Sequence, residues 1–201
     1  MIGFWKQIWD SKGLGSSDDL LFLDGYDHLE VEFNSEDLVA KIVESLGISE
    51  GQSVLEVGCG AGFLAREMSE NFSYQGVDYS EPIVNKHIKL FPEHKVRCAE
   101  ADELPFENDS FEYAFCFGVY QYLPSQEYAD EMIKEMKRVS KKGILLGDLK
   151  ENATRQNHLP CPRERLAEKG FKIIEPFYDS EDCYRYNAWF DLENGDLDDL
   201  E

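Results

Sequence analysis

Apolar positions recur along this chain with two different periods. Leu38, Val39, Ile42, Val43 and Leu46 are spaced by three and four, which predicts a helix over 35–46, capped by Asn34 or Ser35 and ended by Gly47. Short, mostly apolar runs follow at SVLEV (53–57), SYQGVD (73–78), KVRCAEA (95–101), FEYAFCFGV (111–119) and GILLGDL (143–149), and read as buried strands. Helices are predicted between them: over 61–71, after Ser80 with Pro82 in the first turn, and over 125–140. A short helix over 162–169 is stopped by Gly170, and 171–178 with 183–192 forms a closing hairpin around a DSED turn. At the other end, Phe4, Trp5, Ile8 and Trp9 share one face of a short amphipathic helix over 3–10, broken by Gly13, Gly15, Ser16 and Ser17.

Strand–helix alternation with apolar strands predicts an α/β fold, a mainly parallel sheet with helices on both faces. Ligands of such sheets bind beyond the carboxyl ends of the strands. The expected organisation is an N-terminal helical lid over 1–34, one domain over 35–192, and an acidic, disordered tail over 193–201.

Composition narrows the partners. Twenty Lys and Arg face 41 Asp and Glu, a formal charge of −21. Such a surface repels polyanions, and no Lys/Arg cluster could neutralise a row of phosphates, so neither nucleic acid nor anionic membrane is expected. The five cysteines, Cys59, Cys98, Cys116, Cys161 and Cys183, are scattered and odd in number. They predict reduced thiols in a cytoplasmic protein, with neither a disulfide framework nor a zinc knuckle. No His/Asp/Glu cluster has metal-ligand spacing. The first ten residues carry no cleavable signal pattern, and no apolar run is long enough to cross a membrane. Oligomeric state is not legible.

The chemistry concentrates at strand ends. After the first strand come Gly58, Gly60 and Gly62, where bare backbone permits positive φ and close approach of a ligand, and where the next helix opens. The spacing is G-x-G-x-G, and Phe63 stands where a dinucleotide loop of the G-x-G-x-x-G type needs its third glycine. Glu56, two residues before the turn, would repel a pyrophosphate but could hold a cation; the plainer alternative is a strand-end acid capping the turn's amides. Asp78 ends the second strand, suited to accept hydrogen bonds from both hydroxyls of a ribose, while Ser80 fills the helix cap. The third signal is AEADELPFENDSFEYAFCFGVYQYL, Ala99 to Leu123, with an acid after the third strand, a Leu-Pro-Phe turn, and Asp-Ser-Phe leading into the fourth.

Together VLEVGCGAG, VDYS and this third stretch resemble the class I S-adenosylmethionine-dependent methyltransferases, in particular the small-molecule group called methyltransferase type 11, over roughly residues 36–178. The resemblance implies a Rossmann-like, seven-stranded sheet with its last strand antiparallel, and S-adenosyl-L-methionine as cofactor. It implies that Glu56 orients the cofactor's amino-acid end and that Gly58, Gly60 and Gly62 give close backbone approach. Asp78 would take the ribose hydroxyls, Tyr79 would lie along the adenine, and Asp102, with Glu103 or Leu104 beside it, would read the adenine amino group. Phe117 would sit beside the methionine portion. The implied reaction moves a methyl group to an O or N atom of a small polar molecule; the alternative is a binding or scaffold protein that keeps the fold without catalysis.

Acceptor-side residues must come from the ends of strands 4 and 5, the segment that follows, and the N-terminal lid. His158 in NHLPCP, Asp148 and Tyr120 are the candidates for catalysis, His158 with the alternative of a partly exposed loop histidine. Tyr26, His28, Gln121 and Tyr122 are the candidates for substrate binding. His87 and His94 read as surface residues.

Overall fold

The computed structural model describes residues 2–27, 34–153, 155, 157–178 and 184–193. His28, Cys183, the DSED turn and the tail from residue 194 onward lie outside them.

Seven strands form one sheet in the order β3-β2-β1-β4-β5-β7-β6. They are β1 (Ser53–Val57), β2 (Ser73–Asp78), β3 (Val96–Cys98), β4 (Phe111–Phe117), β5 (Ser140–Lys150), β6 (Lys172–Ile174) and β7 (Arg185–Asp191). Neighbours from β3 to β5 are parallel, and β7 runs antiparallel to both β5 and β6. Side chains alternate across the strands, so β4 sends Ala114 and Cys116 into one apolar core and Tyr113, Phe115 and Phe117 into the other. The first core is closed by Met132, Ile133 and Met136 of α6 (Gln126–Val139) and Leu166 of α7 (Arg163–Glu168). The second is closed by Leu38 and Ile42 of α3 (Ser35–Leu46) and Met68 of α4 (Ala65–Asn71). α3 starts at Asn34, whose side chain caps Glu36 N–H, and ends at Gly47 in the left-handed conformation.

Several elements depart from the pattern-based expectation: β3, expected over 95–101, and β6, expected over 171–178, are three residues each, and three further boundaries move. The first helix, α1 (Ile2–Leu14), passes through Gly13 instead of stopping before it. A Cβ on Gly13 would lie 2.4 Å from the Pro82 carbonyl carbon, so glycine here lets α1 press its backbone on α5 (Glu81–Leu90). The helix after β1 begins only at Ala65, leaving residues 61–64 as an open turn. β5 starts at Ser140 directly from the end of α6, three residues before the apolar run that signals it. A second short helix, α2 (Leu20–Leu23), completes an N-terminal segment that roofs the carboxyl ends of β1 and β2. No described helix is long and apolar enough to cross a membrane.

Candidate functional site

The parallel strands β1, β2, β3 and β4 end side by side, and the chain leaves each of them at the rim of one cavity. Its floor is Glu56 and the glycine turn, one wall is Asp78 and Tyr79, and another is Ala99, Glu100 and Ala101 beyond β3. Phe117, Val119 and Tyr122 follow β4, and Trp9, Leu23, Asp24 and Tyr26 of the N-terminal segment cover it.

The three glycines all have positive φ, and each makes room for one of this chain's own side chains. A Cβ on Gly58 would meet Val119, one on Gly60 would meet the Asp24 carboxylate, and one on Gly62 would come within 3.0 Å of His87. The turn's amides are therefore capped by acids other than Glu56. Asp24 accepts from Ala61 N–H (2.6 Å) and Phe63 N–H (2.9 Å), and Asp78 accepts from Gly60 N–H (3.2 Å) and Ser80 N–H (2.9 Å). Glu56 instead accepts from the Tyr74 hydroxyl at 2.7 Å. Ser80 caps α5 at Ile83 N–H, as its position suggests, and also donates to Asp10 of α1 at 2.6 Å.

His87 is fully buried, which corrects its reading as a surface residue, and the same correction applies to the nearly enclosed His94 side chain. It falls one turn after Ile83 on the apolar stripe of α5. Because Gly60 O can only accept, His87 Nδ1–H donates to it (2.9 Å); His87 Nε2 then accepts from His94 Nδ1–H (2.9 Å), and His94 Nε2 accepts from Ser69 Oγ (2.9 Å). Burial, then neighbouring His94, outweigh the Gly60 hydrogen bond and lower the His87 pKa to about 4, so this chain of rings is neutral beneath the glycine turn.

Four carboxylates, those of Asp24, Glu56, Asp78 and Glu100, line the cavity. Burial first, and then the other carboxylates, push Asp24 up to about 7 and Glu56 up to about 8; burial likewise pushes Asp78 up to about 6, against the pull of its amide partners. The nearest cations lie outside the lining: Lys6 Nζ donates to Tyr79 O at 3.1 Å and Lys12 Nζ to Phe22 O.

Of the cofactor-side residues singled out from sequence, Glu56, Gly58, Gly60, Asp78, Tyr79 and Phe117 line the cavity. Gly62, Asp102, Glu103 and Leu104 do not. Leu104 faces the core, its N–H donating to Glu135 (2.8 Å) and its carbonyl accepting from Arg138 (3.0 Å), which turns this loop toward α6. The acid that reaches the cavity after β3 is Glu100, held by the Tyr128 hydroxyl at 2.9 Å. The strand expected over 95–101 ends at Cys98 instead, which makes Glu100 and not Asp102 the first acid beyond it. No comparable signal marks Trp9, Leu23 or Asp24, which reach the site only through the packing of α1 and α2.

On the acceptor side Tyr26 and Tyr122 line the cavity and Gln121 does not. None of His158, Asp148 and Tyr120 lines it either. His158 is buried against the rings of Trp5 (5.3 Å) and Tyr122 (5.5 Å). Asp148 sits at an irregularity of β5 with φ +55°, its carboxylate engaged by Arg185 and by the Tyr178 hydroxyl at 2.5 Å. The Tyr120 hydroxyl donates to Gln126 at 2.7 Å. Burial raises the Tyr26 and Tyr122 hydroxyl pKa values, so both are protonated and act as donors.

Residues 54–143 match a family model described as "Methyltransferase domain". No curated protein matches the sequence. Among solved structures the chain is similar to a SAM dependent methyltransferase from Aquifex aeolicus, with 21% identity over 91% of this chain and 98% of that one and a TM-score of 0.61. It is similar to phosphoethanolamine N-methyltransferase 1 from Haemonchus contortus, solved with phosphoethanolamine and S-adenosylhomocysteine, with 14% identity over 94% of this chain and 48% of that one and a TM-score of 0.72. It is also similar to the YcgJ protein from Bacillus subtilis, with 22% identity over 57% of this chain and 52% of that one and a TM-score of 0.50. The chain thus spans about half the length of the Haemonchus and Bacillus proteins.

Proposed function

We propose that the chain is a class I S-adenosylmethionine-dependent methyltransferase that methylates an O or N atom of a small polar molecule; its fold and the methyltransferase domain matched at residues 54–143 support this reading. The observation that carries this reading is the convergence of Glu56, Asp78 and Glu100, from the ends of three neighbouring strands, on one roofed cavity.

These residues fit the cofactor. Asp78 spends one lone pair of each oxygen on backbone amides and retains acceptor capacity for ribose hydroxyls. Tyr79 offers a ring for the adenine, and Glu100 takes the role that the resemblance assigned to Asp102, since it is Glu100 that faces the cavity. Glu56 and Asp24 would face the cofactor's positive groups, and Phe117 would sit beside its methionine portion, since all three line the cavity. When bound, S-adenosylmethionine supplies a methyl group on a sulfonium, already activated for in-line displacement.

The protein's own contribution is then proximity, orientation and exclusion of water. Residues 1–34 act as the lid on a domain of residues 35–192; Trp9, Leu23 and Tyr26 exclude water, while Tyr26 and Tyr122 orient the acceptor by hydrogen bonding. His158 and Asp148 lie behind the lining. We infer an acceptor that is nucleophilic without losing a proton to either of them, a free amine or an ionised oxygen.

The test is an assay of S-adenosylhomocysteine production against a panel of small amines and acids. We expect turnover with a member of that panel and a loss of at least tenfold in kcat/KM in Asp78→Ala. Binding of the cofactor with no transfer to any amine, acid or alcohol would return the chain to the scaffold alternative.

A further inference from the structure

Asp24 has no counterpart among the motifs, yet it accepts two hydrogen bonds from the glycine turn. It ends α2 and reaches across to Ala61 N–H (2.6 Å) and Phe63 N–H (2.9 Å), in the space a Gly60 side chain would fill. Free amides at a strand-to-helix turn are a ready site for an anion. Here that site is already filled by a carboxyl group of the chain itself, so a ligand carboxylate has no place on it. Toward the cavity, Asp24 stands with Glu56, whose one hydrogen bond among the described residues is to Tyr74. The two carboxylates and Asp78 share an enclosed space that no cationic side chain among the described residues lines. Like charges in such a space are costly unless a cation enters between them.

We propose that Asp24 is a ligand for the ammonium group at the cofactor's amino-acid end, forming with Glu56 a two-carboxylate clamp that fixes its polarity: ammonium toward the glycine turn, carboxylate away from it. The proposal rests on the cofactor reading above and adds to it that the N-terminal segment supplies part of the cofactor site. It gives Gly60 a second reason to lack a side chain, since any Cβ would expel the clamp.

The first experiment leaves the protein unaltered. Calorimetric titration compares S-adenosylhomocysteine with its analogue lacking only the α-amino group and its analogue lacking only the carboxylate. Loss of the amino group should weaken binding at least tenfold and cost more than loss of the carboxylate; the reverse order overturns the clamp. The second compares the unaltered protein with Asp24→Asn and Glu56→Gln, using S-adenosylhomocysteine and 5′-methylthioadenosine, which has the nucleoside and no amino-acid end. Each variant should lose at least tenfold for the former and stay within twofold for the latter. Unchanged or tighter binding of S-adenosylhomocysteine in Asp24→Asn would make Asp24 a cap or a plug, and equal losses for both ligands would make it a general support of the cavity; either result overturns the clamp. If the unaltered protein binds neither ligand, the cofactor reading itself fails and takes the clamp with it.

Discussion

At the scale of single residues, the site is a set of carboxylates held away from their ordinary protonation. Asp24, Glu56 and Asp78 titrate at about 7, 8 and 6, above the values they have in an unfolded chain. Between about pH 4 and 8 the folded, ligand-free protein therefore retains protons that the unfolded chain has released. The stability these groups contribute is full at the acid end and is lost as pH rises through their folded pKa values. His87 has the opposite sign: lowered to about 4, it withdraws stability as pH falls below its unfolded value of 6.5. We predict that the ligand-free protein melts lower at pH 8 than at pH 6, and that Glu56→Gln flattens that slope. Thermal denaturation at the two pH values checks this, and an equal slope in the variant would contradict it. Legibility at this scale was uneven. Glu56 and Asp78 stood out because each ends a strand beside a glycine or a cap. Asp24 gave no signal, since its partners are 37 and 39 positions away and its own helix is four residues long.

At the scale of elements, the apolar runs marked β4 and β5 because both are buried on both faces, whereas β3, expected as a buried strand, is largely exposed at the sheet edge. The apolar pattern misjudged boundaries where tertiary packing overrides local preference. Gly13 lowers helix propensity by about 1 kcal/mol relative to alanine, which a sequence reading takes as a break. The close approach of α1 to α5 outweighs that cost, and Lys86 adds hydrogen bonds to Gly15 O and Ser17 O at 3.0 Å each. Gly13→Val should push α1 off the Pro82 backbone. Overpacking of this kind costs about 1–3 kcal/mol, and at about 2–4 °C per kcal/mol the melting temperature should fall by several degrees. Since α1 carries Trp9 into the cavity, affinity for S-adenosylhomocysteine should fall with it. A variant of unchanged melting temperature would mean that the helix packs there with room to spare. The loop after β3 was misplaced by two residues for a similar reason. Arg138 of α6 draws Leu104 O and Phe106 O toward itself, and so Glu100, not Asp102, is left facing the cavity.

At the scale of the whole molecule, the mainly parallel sheet with its antiparallel last strand follows from alternation along the chain together with the resemblance. The N-terminal roof does not, because nothing in 13 helical residues states what they will cover. Net charge was informative in the same limited way: −21 describes the surface, while the cavity's own negative character arises from four acids brought together by folding. The central claim is that these acids, the glycine turn and the roof make a site for an S-adenosyl nucleoside and not for a dinucleotide. Calorimetric titration of the full chain with S-adenosylhomocysteine, beside NADH, tests it most directly. We predict micromolar binding of S-adenosylhomocysteine and none of NADH. Binding of NADH with no response to S-adenosylhomocysteine would contradict the account.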